Sequence, residues 1–277
     1  MSDLLAPGMA ARVRALARPG TLIVLDFDGT LAPIVGDREA ASLGRRARSA
    51  LRRLARRYPV AILSGRGADD VRSRLGGAEV RWVVGSGGAE WPGEEGRHRA
   101  WRRRVRGWQA ALARRLAGMR GIEVEAKPLS VAVHYRHSPE PERAAERIVR
   151  LARRLRGAER LLGDGVVNLL PAGAGDKGTA LQRLARLAAA RRVLFVGDDA
   201  TDEAAFGAAL GVPGVMVRVG RDSSSRAEHW LARRSAVDVL LERLIRLRPP
   251  LRPRATRARP AVATPRTRRR TGRHGPR

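Results

Sequence analysis

Thr21-Leu22-Ile23-Val24-Leu25-Asp26-Phe27-Asp28-Gly29-Thr30 is the stretch of sequence that decides the fold. Residues 21–25 form a continuous, largely apolar run, which is typical of a strand buried on both faces of a parallel sheet. Two aspartates follow directly, and a pair of charges cannot lie unpaired inside such a sheet. We therefore place Asp26 and Asp28 at the carboxyl end of the strand, where open α/β sheets bind their ligands.

The two carboxylates permit three kinds of chemistry. They could ligate a metal ion, one of them could attack a substrate as a nucleophile, and the other could transfer a proton. An Asp-x-Asp pair alone is a weak signal. Behind a buried strand and before Gly29-Thr30 it is much stronger.

The pattern on either side of a distinct middle region alternates between strands and helices. Strands are predicted at 60–63, 80–84, 193–196 and 214–219, and helices at 41–57, 69–75, 179–190 and 201–210. Such alternation predicts a parallel sheet with helices on both faces.

The middle of the chain has a different pattern. Helical spacing at 101–116 and 140–155, with strands at 122–127, 131–136 and 166–170, predicts a small α+β domain inserted into the parallel one. The predicted organisation is an α/β core at 1–96 and 173–247, an inserted α+β cap at 97–172, and a disordered Arg/Pro-rich tail at 248–277.

The composition excludes several classes of protein. At 43% hydrophobic and 30% charged residues, the 277-residue chain can bury a core, so it is not disordered throughout. The absence of cysteine excludes disulfides, zinc–thiolate sites and thiol catalysis. No apolar run approaches the roughly 18 residues of a membrane span, and residues 1–20 lack signal-peptide features. We expect a cytoplasmic monomer with no membrane span.

The net charge of +29 first indicates nucleic acid or an acidic membrane surface as partner. However, only two of the 56 basic residues are lysine, Lys127 and Lys177. An arginine-rich composition of this kind is also what a GC-rich genome produces, so the charge does not identify a partner. We expect the tail, which has eleven arginines and no acid, to bind anions only non-specifically. A position that remains lysine is a candidate for a site that needs an ammonium group.

Two further segment ends carry groups suited to an anion. Ser64 ends the strand at 60–63, and its hydroxyl could bind a phosphate oxygen or cap the next helix. Lys177 opens a helix, where backbone N–H groups and an ammonium together suit an anion. A glycine-rich turn with a surface lysine would give the same pattern.

A dense acidic run follows the strand at 193–196. Asp198, Asp199, Asp202 and Glu203 place four acids within six residues, which is costly without a cation. The helix dipole accounts for acids at a helix start. It explains Asp202 and Glu203 better than the two aspartates directly behind the strand.

Four segments in this order resemble the motifs of the haloacid dehalogenase-like (HAD) phosphatase superfamily: Asp26-Phe27-Asp28-Gly29-Thr30, Ser64, Lys177 and Gly197-Asp198-Asp199. The resemblance implies a Rossmann-like parallel-sheet core with a cap. It also implies that Asp26 is a nucleophile that forms an aspartyl-phosphate and that Asp28 is the general acid/base. By the same resemblance, Ser64, Thr30 and Lys177 bind the phosphoryl group. Mg²⁺ is held by Asp26, the backbone carbonyl of Asp28, Asp198 and Asp199.

The segment Glu125-Ala126-Lys127-Pro128-Leu129-Ser130-Val131-Ala132-Val133-His134-Tyr135-Arg136 is similar to the cap segment of trehalose-6-phosphate phosphatases. Residues 31–35, 63–66, 85–90 and 197–203 are similar to the same family. The resemblance implies Mg²⁺-dependent hydrolysis of trehalose 6-phosphate, a small-molecule sugar phosphate, to trehalose and phosphate. It implies that the substrate-binding residues are Arg66, Glu125, Lys127, His134 and Arg136.

Three positions depart from the family pattern. Gly87 stands where the family usually has His, and Asn168 and Leu170 stand where it usually has an acidic residue and Arg. These departures keep open a HAD phosphatase for another sugar or sugar-acid phosphate. A basic nucleic-acid-binding protein is the less favoured alternative from a different class.

Overall fold

The computed structural model describes residues 1–36, 40–163 and 165–248. All of the tail predicted to be disordered, except Arg248, lies outside these residues. None of the helices in the described ranges combines the length and the apolar character that crossing a bilayer requires.

The described residues form two sheets with helices packed against them. The strands are β1 (Ser2–Asp3), β2 (Thr21–Leu25), β3 (Val60–Leu63), β4 (Trp82–Val84), β5 (Glu123–Lys127), β6 (Ser130–His134), β7 (Ala158–Gly163), β8 (Val166–Pro171), β9 (Arg192–Gly197), β10 (Gly214–Val219) and β11 (His229–Leu231). The α-helices are α1 (Ala10–Leu16), α2 (Arg45–Ala55), α3 (Ala68–Arg74), α4 (Glu95–Leu116), α5 (Pro141–Ala152), α6 (Lys177–Leu187), α7 (Glu203–Phe206) and α8 (Arg234–Leu247).

The larger sheet is parallel and has the strand order β1-β11-β10-β9-β2-β3-β4. All five residues of β2 are buried, because α1, α2, α3 and α8 cover one face of the sheet and α6 and α7 cover the other. The prediction of a parallel sheet with helices on both faces is therefore confirmed. Since β9, β2 and β3 are neighbours, the residues that follow them meet at one edge of the sheet.

The smaller sheet is antiparallel and has the order β5-β6-β8-β7. Helices α4 and α5 pack on it through apolar side chains that include Trp108, Leu112 and Ile148. The strands of this sheet lie between β4 and α6 in the chain, as the predicted insertion requires. We use the term cap for residues 97–172.

Several predicted elements differ from those observed. The helix predicted at 201–210 is wrong in extent, since a 3₁₀ turn at Ala200–Asp202 and the four-residue α7 stand in its place. The helix predicted at 41–57 begins only at Arg45, because Gly44 before it is extended. Strand β7 was not predicted, because its adjacent Leu161 and Leu162 are both exposed and break the alternation that marks a strand.

Candidate active site

A cavity of about 390 Å³ opens at the carboxyl ends of β2, β3 and β9. It is the place where most of the residues predicted from the motifs meet. Eight predicted residues line it: Asp26, Asp28, Ser64, Arg66, Lys127, Lys177, Asp198 and Asp199. Seven of them belong to the parallel core, and Lys127 enters from the cap.

Asp26 and Lys177 form a buried ion pair at the floor of the cavity. The Lys177 Nζ lies 2.8 Å from the Asp26 Oδ1, and each side chain is at least nine-tenths buried. Burial raises the pKa of the Asp26 carboxyl well above its ordinary value, although the Lys177 ammonium opposes that shift. Burial lowers the pKa of Lys177, but Asp26 and Asp202 outweigh it and raise that pKa overall. Lys177 is therefore a permanent cation directed at Asp26.

Asp202 is an important residue whose contact with Lys177 was not predicted. Its carboxylate is fully buried and its Oδ1 accepts a hydrogen bond of 2.8 Å from the Lys177 Nζ. Its Oδ2 accepts the backbone N–H groups of Asp198 and Asp199. Gly197 is needed beside it, because a Cβ there would lie 2.3 Å from the Asp202 Cγ. Asp202 thus joins Lys177 to the loop after β9.

Asp198 and Asp199, which follow each other in sequence, have different surroundings. Burial, reinforced by Asp202 and Asp199, raises the pKa of Asp198 to about 6. Asp199 instead caps the 3₁₀ turn, its Oδ1 accepting the backbone N–H groups of Thr201 and Asp202. Asp202 and Glu203 lie in the first turns of the 3₁₀ helix and of α7, where the sequence predicted acids favoured by the helix dipole.

Thr30, predicted to bind phosphate, is fully buried and is not part of the cavity wall described above. Its hydroxyl donates a 3.2 Å hydrogen bond to the Asp198 Oδ1 and so holds that carboxylate. Glycine is required at position 29 for two reasons. Its φ of +72° is one that other residues rarely adopt, and a Cβ there would lie 2.0 Å from the Asp198 Oδ2.

The donor set at this site fits a divalent cation. Among the described residues, Asp26, Asp198 and Asp202 offer carboxylate oxygens that all lie within 4.8 Å of one another. Two buried carboxylates, Asp26 and Asp202, and the half-buried Asp198 face one ammonium, and burial together with the neighbouring carboxylates raises the pKa values of Asp26 and Asp198. Mg²⁺ takes oxygen ligands and few carboxylates, so these residues suit it.

Asp28 has a partner of its own, separate from the other acids. The Arg66 Nε donates to its Oδ2 at 2.6 Å, and the Arg66 Nη2 donates to its Oδ1 at 2.9 Å. The Ser64 Oγ accepts the backbone N–H of Arg66 at 3.1 Å. Ser64 is not the cap of helix α3, because that position belongs to Gly67.

The cap contributes a group of three polar side chains. The Glu125 Oε2 lies 3.4 Å from the Lys127 Nζ and 3.0 Å from the His134 Nε2. Burial raises the pKa of Glu125, but His134 and Lys127 together lower it below its ordinary value. Glu125 and Lys127 also line a second cavity, of about 530 Å³, which shares Arg66 with the first. Arg136 is exposed beyond β6 and belongs to neither cavity wall.

Residues 24–234 match the trehalose-phosphatase family. The chain belongs to this family. The trehalose-phosphate phosphatase of Mycobacterium marinum is 37% identical over 75% of this chain and 57% of its own length. An uncharacterized glycosyl hydrolase of Mycobacterium tuberculosis is 39% identical over 74% of this chain but only 16% of its own length. The chain thus spans little more than half of the trehalose-phosphate phosphatase and about a sixth of the glycosyl hydrolase.

Solved structures support the family assignment at the level of the fold. The trehalose-6-phosphate phosphatase of Aspergillus fumigatus is 25% identical with a TM-score of 0.66, covering 89% of this chain and 99% of that one. A phosphatase of the HAD superfamily from Bacteroides thetaiotaomicron is 16% identical with a TM-score of 0.51, covering 81% and 94%. The predicted HAD-like α/β core with a cap is therefore confirmed for this member of the trehalose-phosphatase family.

Proposed function

We propose that the protein hydrolyses trehalose 6-phosphate to trehalose and inorganic phosphate through an aspartyl-phosphate on Asp26. The observation that carries the proposal is the cavity itself. It brings the buried Asp26–Lys177 pair of the core together with Lys127 of the cap, in a chain of the trehalose-phosphatase family.

The first step transfers the phosphoryl group to the protein. An oxygen of the Asp26 carboxylate attacks phosphorus, and the bond between phosphorus and the sugar oxygen breaks. The Lys177 ammonium and the Ser64 hydroxyl bind phosphoryl oxygens and offset the repulsion between two anions. Asp28, in its protonated form, gives its proton to the leaving sugar oxygen, so trehalose departs as a neutral alcohol.

The second step releases phosphate. Asp28, now a carboxylate, takes a proton from a water molecule as that water attacks phosphorus. The bond between phosphorus and the Asp26 oxygen breaks, and the Asp26 carboxylate is regenerated. Asp28 lies at the cavity wall with about a third of its side chain exposed, so water can reach it.

We assign the Mg²⁺ site to Asp26, Asp198 and the backbone carbonyl of Asp28, with Asp199 assisting directly or through water. Both oxygens of Asp202 accept hydrogen bonds from Lys177 and the backbone of the loop, so Asp202 positions the site. When bound, Mg²⁺ supplies the positive charge that lets an anionic nucleophile approach a phosphate ester. Lys177, held by Asp202, supplies a second positive charge that stays in place throughout the reaction.

We place the sugar rings of the substrate in the second cavity. Glu125 accepts hydrogen bonds and Lys127 donates them, and a ligand rich in hydroxyl groups requires both kinds of partner. His134 contacts Glu125 and so acts on the substrate through it. Arg66 lines both cavities and therefore connects the second cavity to the catalytic one.

The experiment is a phosphate-release assay with Mg²⁺ on a panel of sugar phosphates, including trehalose 6-phosphate, sucrose 6-phosphate and glucose 6-phosphate. We expect the highest kcat/KM for trehalose 6-phosphate, and no release after a chelator removes the metal. Equal or faster turnover of another sugar phosphate would contradict the assignment of the substrate.

A phosphatase for a different sugar phosphate is the second candidate, and the surroundings of Leu170 favour it. Leu170 packs against an apolar cluster that includes Trp101 and Leu129, so it offers no polar group at a position where the family usually has Arg. The other departures, Gly87 and Asn168, likewise present no charge. The same panel separates the two candidates.

A further inference from the structure

We propose that Asp70 is a positioning residue, which fixes the Arg66 guanidinium so that Arg66 holds the Asp28 carboxylate at the cavity wall. The inference rests on the proposed phosphatase function, in which Asp28 transfers protons. Asp70 belongs to no motif discussed above and lies on α3, four residues after Arg66.

The chain of contacts begins at Asp28. Both of its carboxylate oxygens are held by one guanidinium, through the Nε and Nη2 of Arg66 at 2.6 and 2.9 Å. Only 2% of the Arg66 side chain is exposed, so the guanidinium depends on protein partners for its hydrogen bonds. The direction in which its plane faces therefore decides where the Asp28 carboxylate can lie.

Asp70 holds the remaining corner of that plane. Its Oδ2 accepts a 3.0 Å hydrogen bond from the Arg66 Nη1, and its Oδ1 accepts one of 2.6 Å from the Arg74 Nε. Arg74 is in turn anchored, since its Nη1 donates to the carbonyl of Ala41 at 2.8 Å. The four side chains thus form an unbroken row of alternating charge, in the order Asp28, Arg66, Asp70 and Arg74.

A guanidinium is a rigid, planar fork of donors. When Asp70 holds its Nη1, the edge formed by Nε and Nη2 is left to face Asp28 and cannot turn away. In Asp70→Asn one of the two acceptor oxygens becomes an NH₂ donor, so the side chain can no longer hold both Arg66 and Arg74. A buried donor left without an acceptor is costly unless it finds another partner. We expect the guanidinium to turn towards a new partner and to take the Asp28 carboxylate with it.

The test compares Asp70→Asn with a matched control, Glu242→Gln. Glu242 and Asp70 have the same side-chain exposure of 35% and each carboxylate is held by arginine, but Glu242 lies on α8 and is not part of either cavity wall. On the sugar phosphate that the wild type hydrolyses best, Asp70→Asn should lower kcat about tenfold, with KM changed less than about twofold. Glu242→Gln should leave both constants unchanged.

A double-mutant cycle separates positioning through Arg66 from general damage. In an Arg66→Lys background, where the fork is already lost, Asp70→Asn should lower kcat by less than about twofold further. Losses that multiply across the two sites, or a kcat within about twofold of wild type for Asp70→Asn alone, would overturn the inference. If Asp70→Asn does not fold, Asp70→Glu replaces it, and the same loss is expected because the carboxylate is displaced by one methylene.

A crystal structure of the Asp70→Asn variant gives a result that does not depend on the substrate. The Asp28–Arg66 pair should be broken or turned, with the rest of the fold unchanged. If the pair keeps its two short hydrogen bonds, the inference fails. Absence of phosphate release by the wild type would instead overturn the proposed function, so the two failures are distinguishable.

Discussion

Lys177 lies between two buried carboxylates, with 3% of its side chain exposed and its ammonium 2.8 Å from each of them. An ammonium is a compact charge on a flexible stem, whereas a guanidinium is a wide, planar fork. The second lysine, Lys127, lies at the wall shared by both cavities. In a chain whose other basic residues are all arginine, the two lysines therefore both lie at the candidate site.

Lys177→Arg is accordingly expected to damage the chemical step. The larger guanidinium cannot occupy the space between Asp26 and Asp202 without moving one of them, so kcat should fall about a hundredfold or more. The control is Arg143→Lys, an exchange at an arginine with 78% of its side chain exposed on α5. The measurement is steady-state phosphate release, and full activity of Lys177→Arg would refute the argument from size.

For single residues, the sequence predicted which side chains belong to the site better than it predicted their hydrogen-bond partners. Asp26, Asp28, Ser64, Lys177 and Asp198 could be found because each follows a strand or opens a helix. Asp202 and Thr30 could not be placed, because the pairing of Asp202 with Lys177 and of Thr30 with Asp198 joins residues far apart in sequence. The order of the acids after β9 does not reveal which of them is buried against Lys177.

Among the elements, helix α4 connects the core to the cap through a histidine. The Nε2 of His98 accepts the backbone N–H of Trp91 at 3.1 Å, which requires an unprotonated nitrogen. Burial lowers the pKa of His98, and Arg102 acts in the same direction, against the opposing charges of Glu90, Glu94 and Glu95. The first turn of α4 is thus held by a neutral imidazole.

This arrangement predicts a loss of stability in acid. Because the pKa of His98 is lower in the folded protein than in the unfolded chain, the unfolded chain binds more protons as the pH falls below about 6.5. The free energy of unfolding, measured by urea denaturation, should therefore fall between pH 7 and pH 5. The fall should be smaller in His98→Gln, and an equal fall in both proteins would contradict the prediction.

Elements were predicted well where the pattern of burial is simple. Strands β2 and β3 are apolar throughout because they are covered on both faces, and their predicted bounds agree with the structure. Strand β7 lies at the edge of the cap sheet with Leu161 and Leu162 exposed, so its sequence lacks a buried face. Residues 201–210 have helical composition, but a 3₁₀ turn capped by Asp199 comes first and the α-helix that follows ends after four residues at Gly207.

At the scale of the whole molecule, the net charge of +29 did not identify a binding partner. The candidate site was instead identified by the cavity between core and cap. Arginine is spread over the core, the cap and residues 248–277. Neither the sheet order nor the second cavity could be obtained from composition, because both depend on how distant segments pack. The order of the motifs predicted the core, and the structure adds a second cavity that adjoins the first at Arg66 and Lys127.

The spread of charge predicts weak and non-specific binding to polyanions. A short DNA duplex should bind at low salt, and its affinity should fall steeply with ionic strength because counterions compete for the phosphates. Fluorescence anisotropy across a salt series, with the full chain and with a chain lacking residues 249–277, measures this. Sequence-dependent binding that persists at physiological salt would contradict the prediction and favour a nucleic-acid function.

The most direct test of the account is phosphate release from trehalose 6-phosphate in the presence of Mg²⁺, with the wild type and Asp26→Asn compared side by side. We predict steady turnover by the wild type and none by Asp26→Asn, because the amide cannot act as the carboxylate nucleophile. Circular dichroism of the variant confirms that it is folded. Turnover by a folded Asp26→Asn protein, or none by the wild type, would contradict the account.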